Sequence, residues 1–269
     1  MRFSIITPNK NGARYLEQAI QSVLMQRQEG LDVEYIVLDG GSTDTSPVIL
    51  SRYKQDISRI IFEADSGPAA AINKGLKVAT GEIISWLNAD DLYHPGALIR
   101  VLETFSRHPN RALCFGACRI IDEKGQEIRK AITRFKELFF PFSSRFTIQC
   151  INYISQPAMF FRRSALQRTG LLRDGLVAAW DYDLTLRLWR QGGGARVYGP
   201  PLADFRWHPE SISARRFRLQ FKEEFDVAVR DSGHLAPQAW IHGLVRWGIV
   251  GSYTLMAMYG KVNSNKDCS

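Results

Sequence analysis

The sequence predicts an α/β fold, a mostly parallel sheet flanked by helices with a small antiparallel part and carboxy-terminal helices. Short apolar runs alternate with helical periodicities over the first 122 residues, and the runs end in polar loops, several of them bearing glycine. At 269 residues, 45% hydrophobic and 23% charged, the chain is long and apolar enough for one substantial core.

Residues 3–7 read as the first strand, and Leu16, Ala19, Ile20, Val23 and Leu24 recur at helical spacing after it. Residues 33–38 are apolar except for Glu34, the pattern of a parallel strand covered on both faces. A helix is expected from Ser46-Pro47, a strand over 59–62, a helix over 68–79 with Pro68 in its first turn, and a strand over 83–87. Pro95 should open the next helix, with Leu98, Val101, Leu102 and Phe105 on its buried face. Over 112–128 two apolar runs flank Asp122-Glu-Lys-Gly125, which predicts a hairpin and the onset of antiparallel structure. Phe135, Phe139, Phe140, Phe142 and Phe146 follow no clean period, so 131–155 reads as a loop or short helices facing an acceptor. A helix over 180–191 should stop at Gly192-Gly193-Gly194, ahead of short strands at 196–198 and 202–207. Phe217, Phe221, Phe225 and Val229 mark one face of a later helix that also carries Arg215, Arg216, Arg218 and Lys222.

Residues 240–259 are largely apolar but contain His242 and Arg246. Thirteen helical residues, 247–259, cover only about 20 Å against a hydrocarbon core of about 30 Å, so a membrane-spanning segment is not expected. An interfacial helix anchored by Trp240, Trp247, Tyr253 and Tyr259, or a helix docked on the core, both suit this composition.

Thirty-five Lys and Arg against 27 Asp and Glu give +8, which favours anionic partners. Cys114, Cys118, Cys150 and Cys268 form no CxxC pair, so neither a zinc site nor a disulfide framework is indicated. No long apolar run follows the amino-terminal charge, which fits a cytosolic chain with reduced thiols. Neither GxGxxG nor GxxxxGK[ST] occurs.

The chemistry concentrates at strand ends. Asn88-Ala89-Asp90-Asp91 follows the strand at 83–87; alone it reads as a helix-capping turn, but two adjacent carboxylates beside an amide suit a hard cation such as Mg²⁺ or Mn²⁺. Thr7-Pro8-Asn9-Lys10-Asn11-Gly12, Asp39-Gly40-Gly41-Ser42-Thr43-Asp44 and Asp65-Ser66-Gly67 close the preceding three strands. In a parallel sheet these edges face one crevice, where glycines admit a backbone close to a ligand and carboxylates accept from base or ribose.

TPNKNG, DGGSTD, the segment Ala71-Ile-Asn73-Lys74-Gly75 and LNADD, in this order, resemble the family-2 glycosyltransferases of GT-A fold. Later segments agree: Gln156 to Arg162, Trp180-Asp181-Tyr182-Asp183-Leu184 with Arg187, and Arg206-Trp-His208 to Ser213. The resemblance implies an inverting transfer from a nucleoside-diphosphate sugar, a UDP-sugar foremost, to a glycan or lipid-linked acceptor in cell-surface polysaccharide synthesis. It places Thr7, Pro8, Asp39 and Asp65 on the nucleoside, and Asn11, Gly41, Gly67, Asn73, Lys74 and Asn88 in the same donor-binding set. It assigns a Mn²⁺ or Mg²⁺ ion to Asp90, with Asp91 and His208 completing the shell, and the general base to Asp181. On the residues alone Asp181 is equally a helix cap, and Asp183 is able to exchange roles with it. Two departures stand out: many members have a second aspartate at Gly40 and an acidic residue at Asn88.

The resemblance divides the chain into a donor-binding half (1–122), an acceptor-binding and catalytic half of the same domain (123–213) and basic, apolar carboxy-terminal helices (214–269). It implies a cytoplasmic enzyme, peripheral on the inner membrane face, with Lys74, Arg162 and Arg206 as candidate cations for the leaving group. A catalytically silent nucleotide-sugar-binding module is the alternative that Gly40 and Asn88 suggest. The Arg215–Lys222 face invites nucleic acid by charge, but an acidic crevice makes that partner unexpected.

Overall fold

The computed structural model describes residues 1–27, 30–248 and 251. β1 (Phe3–Asn9), α1 (Ala13–Arg27), β2 (Val33–Asp39), α2 (Ser46–Arg52), β3 (Arg59–Phe62), α3 (Pro68–Val78) and β4 (Ile83–Trp86) repeat the strand–helix theme. β1 lies parallel between β2 and β4, and β3 continues the sheet beside β2. Then follow β5 (Leu92–Tyr93), α4 (Ala97–Arg107), β6 (Leu113–Phe115), β7 (Cys118–Ile121), β8 (Glu127–Ile128), α5 (Lys130–Glu137) and α6 (Arg145–Cys150). The chain continues through β9 (Met159–Arg162), α7 (Arg163–Thr169), α8 (Trp180–Trp189), β10 (Gly194–Arg196), β11 (Ala203–Arg206), α9 (Ile212–Arg215) and α10 (Phe217–Ser232).

The main sheet has seven strands in the order β10-β6-β9-β4-β1-β2-β3, with β9 antiparallel to both its neighbours. A second sheet, β5-β11-β7-β8, is mixed: β11 and β7 run parallel while the outer pairings are antiparallel. Alternation along the strands feeds two cores. Ile6, Ile36, Leu38, Ile84 and Trp86 face α3, α8 and α10, whereas Phe3, Ile5, Tyr35, Val37 and Ile83 face α1, α2 and α4. Gly75 lets α3 lie flat on the sheet, since a Cβ there would meet Ile6 Cγ2 at 2.5 Å and Leu38 Cδ1 at 2.9 Å. Glu34, the lone charge in β2, is buried and occupied: it accepts from the Ser4 hydroxyl and from Thr80 N (2.8 Å) and Oγ1 (3.0 Å), tying β2 to β1 and the start of β4.

Four sequence expectations shift. The helix expected at Pro95 starts at Ala97, because Gly96 takes a left-handed φ of 72° and breaks the turn. The 112–128 segment is not one hairpin. β6 joins the main sheet, and only β7 and β8 pair around Asp122, whose Oδ1 accepts from Lys124 N at 2.9 Å and Gln126 N at 2.8 Å. The strand expected at 196–198 is β10, two residues earlier, placed there by Gly193 (φ 70°) closing the helix and by pairing with β6. β9 was not anticipated as an element. Residues 131–155 do form short helices, and Cys114, Cys118 and Cys150 are buried free thiols, while Cys268 lies outside the described residues.

Residues 237–248 are helical. Ala239 and His242 face inward, His242 Nδ1 lying 3.0 Å from the Gln149 carbonyl, whereas Trp240, Leu244 and Trp247 are exposed. Both readings of 240–259 thus meet in the described part, a helix that docks by one face and bares an apolar stripe on the other; most of 249–259 lies outside the described residues. Among those described, no helix is long and apolar enough to cross a membrane.

The small sheet is locked by a buried carboxylate. Asp204 Oδ1 contacts His94 Nε2 at 2.8 Å and accepts from Arg119 Nε at 2.7 Å, and Oδ2 accepts from Arg119 Nη2 at 2.8 Å. Burial pushes this carboxyl up, but the hydrogen bonds and charges of His94 and Arg119 outweigh it and hold Asp204 below the ordinary carboxylate range. A depressed carboxyl binds its proton more weakly folded than unfolded. Its stabilisation is therefore complete above the unfolded value of about 3.9 and is lost as pH falls through the folded one. Asp204→Asn should cost about 3 kcal/mol at pH 7 by stranding Arg119, and should flatten the acid limb of the melting temperature; unchanged melting at both pH values would refute this role.

Candidate active site

The carboxyl ends of β1 and β4, the loop before α3, the 207–215 segment and the start of α8 enclose one cavity of about 1670 Å³. Pro8, Asn11, Asp65, Gly67, Asn88, Asp90, Asp181 and His208 all line it. The other site residues expected from sequence, Thr7, Asp39, Gly41, Asn73, Lys74 and Asp91, are not among the residues that line it.

Asp39 is buried and organises its own loop, Oδ1 accepting from Gly41 N at 3.1 Å and Ser42 N at 2.7 Å while Oδ2 accepts from Asn9 Nδ2 at 2.7 Å. Asn11, at φ 54°, clamps the same loop through Oδ1, which accepts from Thr43 N at 2.8 Å. Thr7 is fully buried, its hydroxyl 3.1 Å from Tyr35 Oη. Asn73 spends both ends of its amide on Leu172, at 2.9 Å each, and so staples α3 to the chain before α8. Lys74 donates to the Ala64 carbonyl at 2.8 Å and pairs with Glu63 at 2.8 Å, which fixes the loop carrying Asp65. Gly40 faces Asp65 so closely that a Cβ would meet Asp65 Oδ2 at 2.2 Å. Glycine at this position thus leaves its space to the Asp65 carboxylate.

The two aspartates after β4 separate in role. Asp91 is fully buried, accepting from Arg206 N at 2.9 Å and Asn88 Nδ2 at 3.0 Å, and burial with the adjacent Asp90 charge raises its carboxyl well above the usual range. Asp90 faces the cavity, with Oδ2 2.9 Å from His208 Nε2. The Asp90 hydrogen bond, against the opposing effect of burial, raises the His208 imidazole above its ordinary value. Glu210 lies 3.5 Å from His208 Nδ1 on the outer side. A carboxylate oxygen and an imidazole nitrogen here are two donors that would suit a divalent cation; among the described residues no group of three or more acidic, histidine or cysteine side chains is placed to hold one. Asp91 supports from beneath and is not part of that pair.

Arg206 and Arg162, candidates for leaving-group cations, are fully engaged elsewhere. Arg206 donates to the carbonyls of Asp90, Asp122 and Glu123 and to Gln18 Oε1, its guanidinium 4.5 Å from the Tyr15 ring centroid. Arg162 stacks on Phe105 and donates to the Arg111 and Phe105 carbonyls. The cations that do line the cavity are Lys10, Arg14, Arg129, Lys136, Arg215, Arg218 and Arg246.

Asp181 sits in the first turn of α8, Oδ1 accepting from Tyr182 N at 2.8 Å. Burial raises its carboxyl, partly offset by that hydrogen bond and by Lys136, which suits a base that must take a proton from a hydroxyl. Asp183 does not exchange with it: it is buried in ion pairs with Arg173 and Arg187, each at 2.8 Å. Asp181 is the second residue of α8 and not its N-cap, which is Ala179. The chain just before the helix is tied down by Glu223 of α10, whose carboxylate accepts from Val177 N (2.9 Å), Ala178 N (2.8 Å) and Ala179 N (3.1 Å). Sequence reasoning missed Glu223 because its partners lie more than forty residues away. It also missed Asn9, whose Oδ1 is buried with no donor among the described residues, and Glu224.

Glu223→Ala should cost roughly 1–3 kcal/mol in chemical denaturation, since it leaves buried amides without an acceptor, and Glu223→Gln should recover part of it. Equal stability of all three proteins would contradict this tie between α10 and the 177–179 segment.

Residues 4–170 match the model of the family described as Glycosyl transferase family 2. An uncharacterised glycosyltransferase of Rickettsia conorii is 31% identical over 198 residues, 70% of this chain and 31% of that protein. The putative teichuronic acid biosynthesis glycosyltransferase TuaG of Bacillus subtilis is 27% identical over 241 residues, 88% of this chain and 91% of that one. The chain spans about a third of the length of the first curated relatives it matches. Among solved structures, S. aureus TarS 1-349 in complex with UDP-GlcNAc superposes with TM-score 0.70 at 17% identity, covering 92% of this chain and 72% of that one. The mannosyltransferase PcManGT from Pyrobaculum calidifontis, in complex with GDP-Man and Mn²⁺, gives TM-score 0.67 at 19% identity, covering 97% and 80%. The fold is thus that of the GT-A enzymes, and the chain belongs to glycosyl transferase family 2.

Proposed function

We propose that this protein transfers a sugar, with inversion, from a nucleoside-diphosphate sugar to a hydroxyl of a glycan or lipid-linked acceptor in cell-wall polysaccharide synthesis. The observation that supports this best is that Asp181 and the Asp90–His208 pair line one cavity. A base and a diphosphate site in one enclosure are what an in-line displacement at an anomeric carbon requires. Residues 1–122 supply the donor walls and 123–213 the acceptor walls. Pro8 and Asp65 are available to base and ribose, with Gly40 giving the Asp65 carboxylate its room. Asp90 and His208 would hold Mg²⁺ or Mn²⁺, which offsets the negative charge growing on the departing diphosphate. Asp181 accepts the proton of the attacking hydroxyl. The names of TuaG and of the minor teichoic acid biosynthesis protein GgaB, 35% identical over 111 residues, point to anionic wall polymers as the product class. TarS with UDP-GlcNAc supports a UDP-sugar as donor.

Nucleoside diphosphate release from a panel of UDP- and GDP-sugars with Mn²⁺ or Mg²⁺ tests the reading. Asp90→Ala should abolish metal-dependent release, and Asp181→Asn should lower kcat by about 10²–10⁴ while donor affinity changes little. A wild-type rate from Asp90→Ala would reject the metal role.

The exposed Trp240, Leu244 and Trp247, on one side of a helix in a chain of net charge +8, support residence on the cytosolic face of an anionic membrane. The triple serine variant should float with phosphatidylglycerol vesicles far less than wild type, and neither should float with phosphatidylcholine alone. Equal flotation of both proteins would remove this proposal.

A further inference from the structure

We infer that Glu224 is an acceptor-binding residue: its Oε2, at the Asp181 end of the cavity, hydrogen bonds a second hydroxyl of a polyhydroxylated acceptor. The inference rests on the transferase reading above and extends it to the acceptor's chemical class. Glu224 is 5% exposed, yet it lines the cavity together with Asp181. Oε1 accepts from Gln220 Nε2 at 3.1 Å and Asn152 Nδ2 at 3.2 Å, which fixes the carboxyl group. No described residue donates to Oε2, and Oε2 is not among the sealed, unpartnered atoms, so it opens on the cavity.

No arginine or lysine forms a salt bridge with Glu224 among the described residues. A nearly buried carboxyl without a paired cation is costly to keep for stability alone, and such groups gather where a ligand will meet them. The neighbouring Glu223 shows the contrast, since its oxygens are spent on backbone amides. Burial, with the Asp181 charge added, pushes the Glu224 carboxyl up to about 7, so near neutral pH it is able to donate as well as accept. Trp180, Phe217 and Phe221 line the same cavity, offering flat apolar surface to the C–H face of a sugar ring. A carboxyl that reads hydroxyls between aromatic walls fits a glycoside or polyol better than a prenyl chain.

The test uses saturation-transfer NMR on the full-length protein loaded with UDP and Mg²⁺, with glycerol, methyl glycosides and their monodeoxy analogues as probes. Titration of UDP-GlcNAc and GDP-Man beforehand establishes donor binding separately. Wild type should bind at least one glycoside or glycerol, and removal of one hydroxyl should weaken it by about tenfold. Glu224→Gln, and Glu224→Ala as a second variant, should keep the donor affinity and bind parent and deoxy probe alike. Variants that still discriminate as wild type does would overturn the inference, as would failure of every hydroxylated probe or preference for a prenyl phosphate. Absence of donor binding in wild type would instead overturn the transferase reading, and this one with it.

Discussion

A buried arginine holds the Asp90 end of the cleft together. Arg206 is 2% exposed, and a guanidinium can be kept there only if its donors are matched. It meets that demand by drawing three carbonyls, a glutamine and a tyrosine ring from α1, the turn after β4 and the β7–β8 turn to one point. Its own backbone N–H holds Asp91, and Asp91 holds Asn88. Asp90 is left as the carboxylate of the turn that faces open space. Two adjacent aspartates would repel if both lined the crevice, and the fold avoids this by burying one in a raised-pKa state and presenting the other.

Much of this was legible. The strand-end loops announced themselves because β1 to β4 alternate with helices in the simplest order, and each loop begins where an apolar run stops. The resemblance picked out Asp90, His208, Asp181 and Asp65, which share the cavity. What a linear reading could not resolve was which face of a loop a residue takes. Asp39, Asn73 and Lys74 belong to motifs of the donor site, yet their side chains are committed to Gly41 and Ser42, to Leu172, and to Glu63 and Ala64. These are residues that shape the walls. β9 escaped notice because its neighbours come from residues 83–86 and 113–115, so nothing local marks it as sheet. The Ala112–Ile128 region misled for a related reason: Gly116, where a Cβ would meet Leu202 Cδ1 at 2.6 Å, passes the chain from one sheet to the other without a turn signature.

The two ends of the cavity differ in how they manage charge. At the sheet edge, polar loops are cross-braced by short side-chain bonds, and Asp90 and His208 face the cavity from there. At the α8 end, carboxyls are desolvated and carry raised pKa values, with Lys136 as the nearby cation. The first environment suits the charged leaving group of the proposed transfer, and the second suits carboxyls that would act on a hydroxyl.

Because the amides of residues 177–179, just ahead of α8, are closed by a side chain from α10, the entry to that helix cannot settle as the chain leaves the ribosome. These residues emerge first and wait, with solvent on their N–H groups, until residue 223 has been synthesised more than forty positions later. Vectorial synthesis therefore fixes the approach to Asp181 only once α10 is available. A chain stopped before α10 would leave the entry to α8 without its acceptor and the cavity without the wall that Phe221 and Glu224 provide.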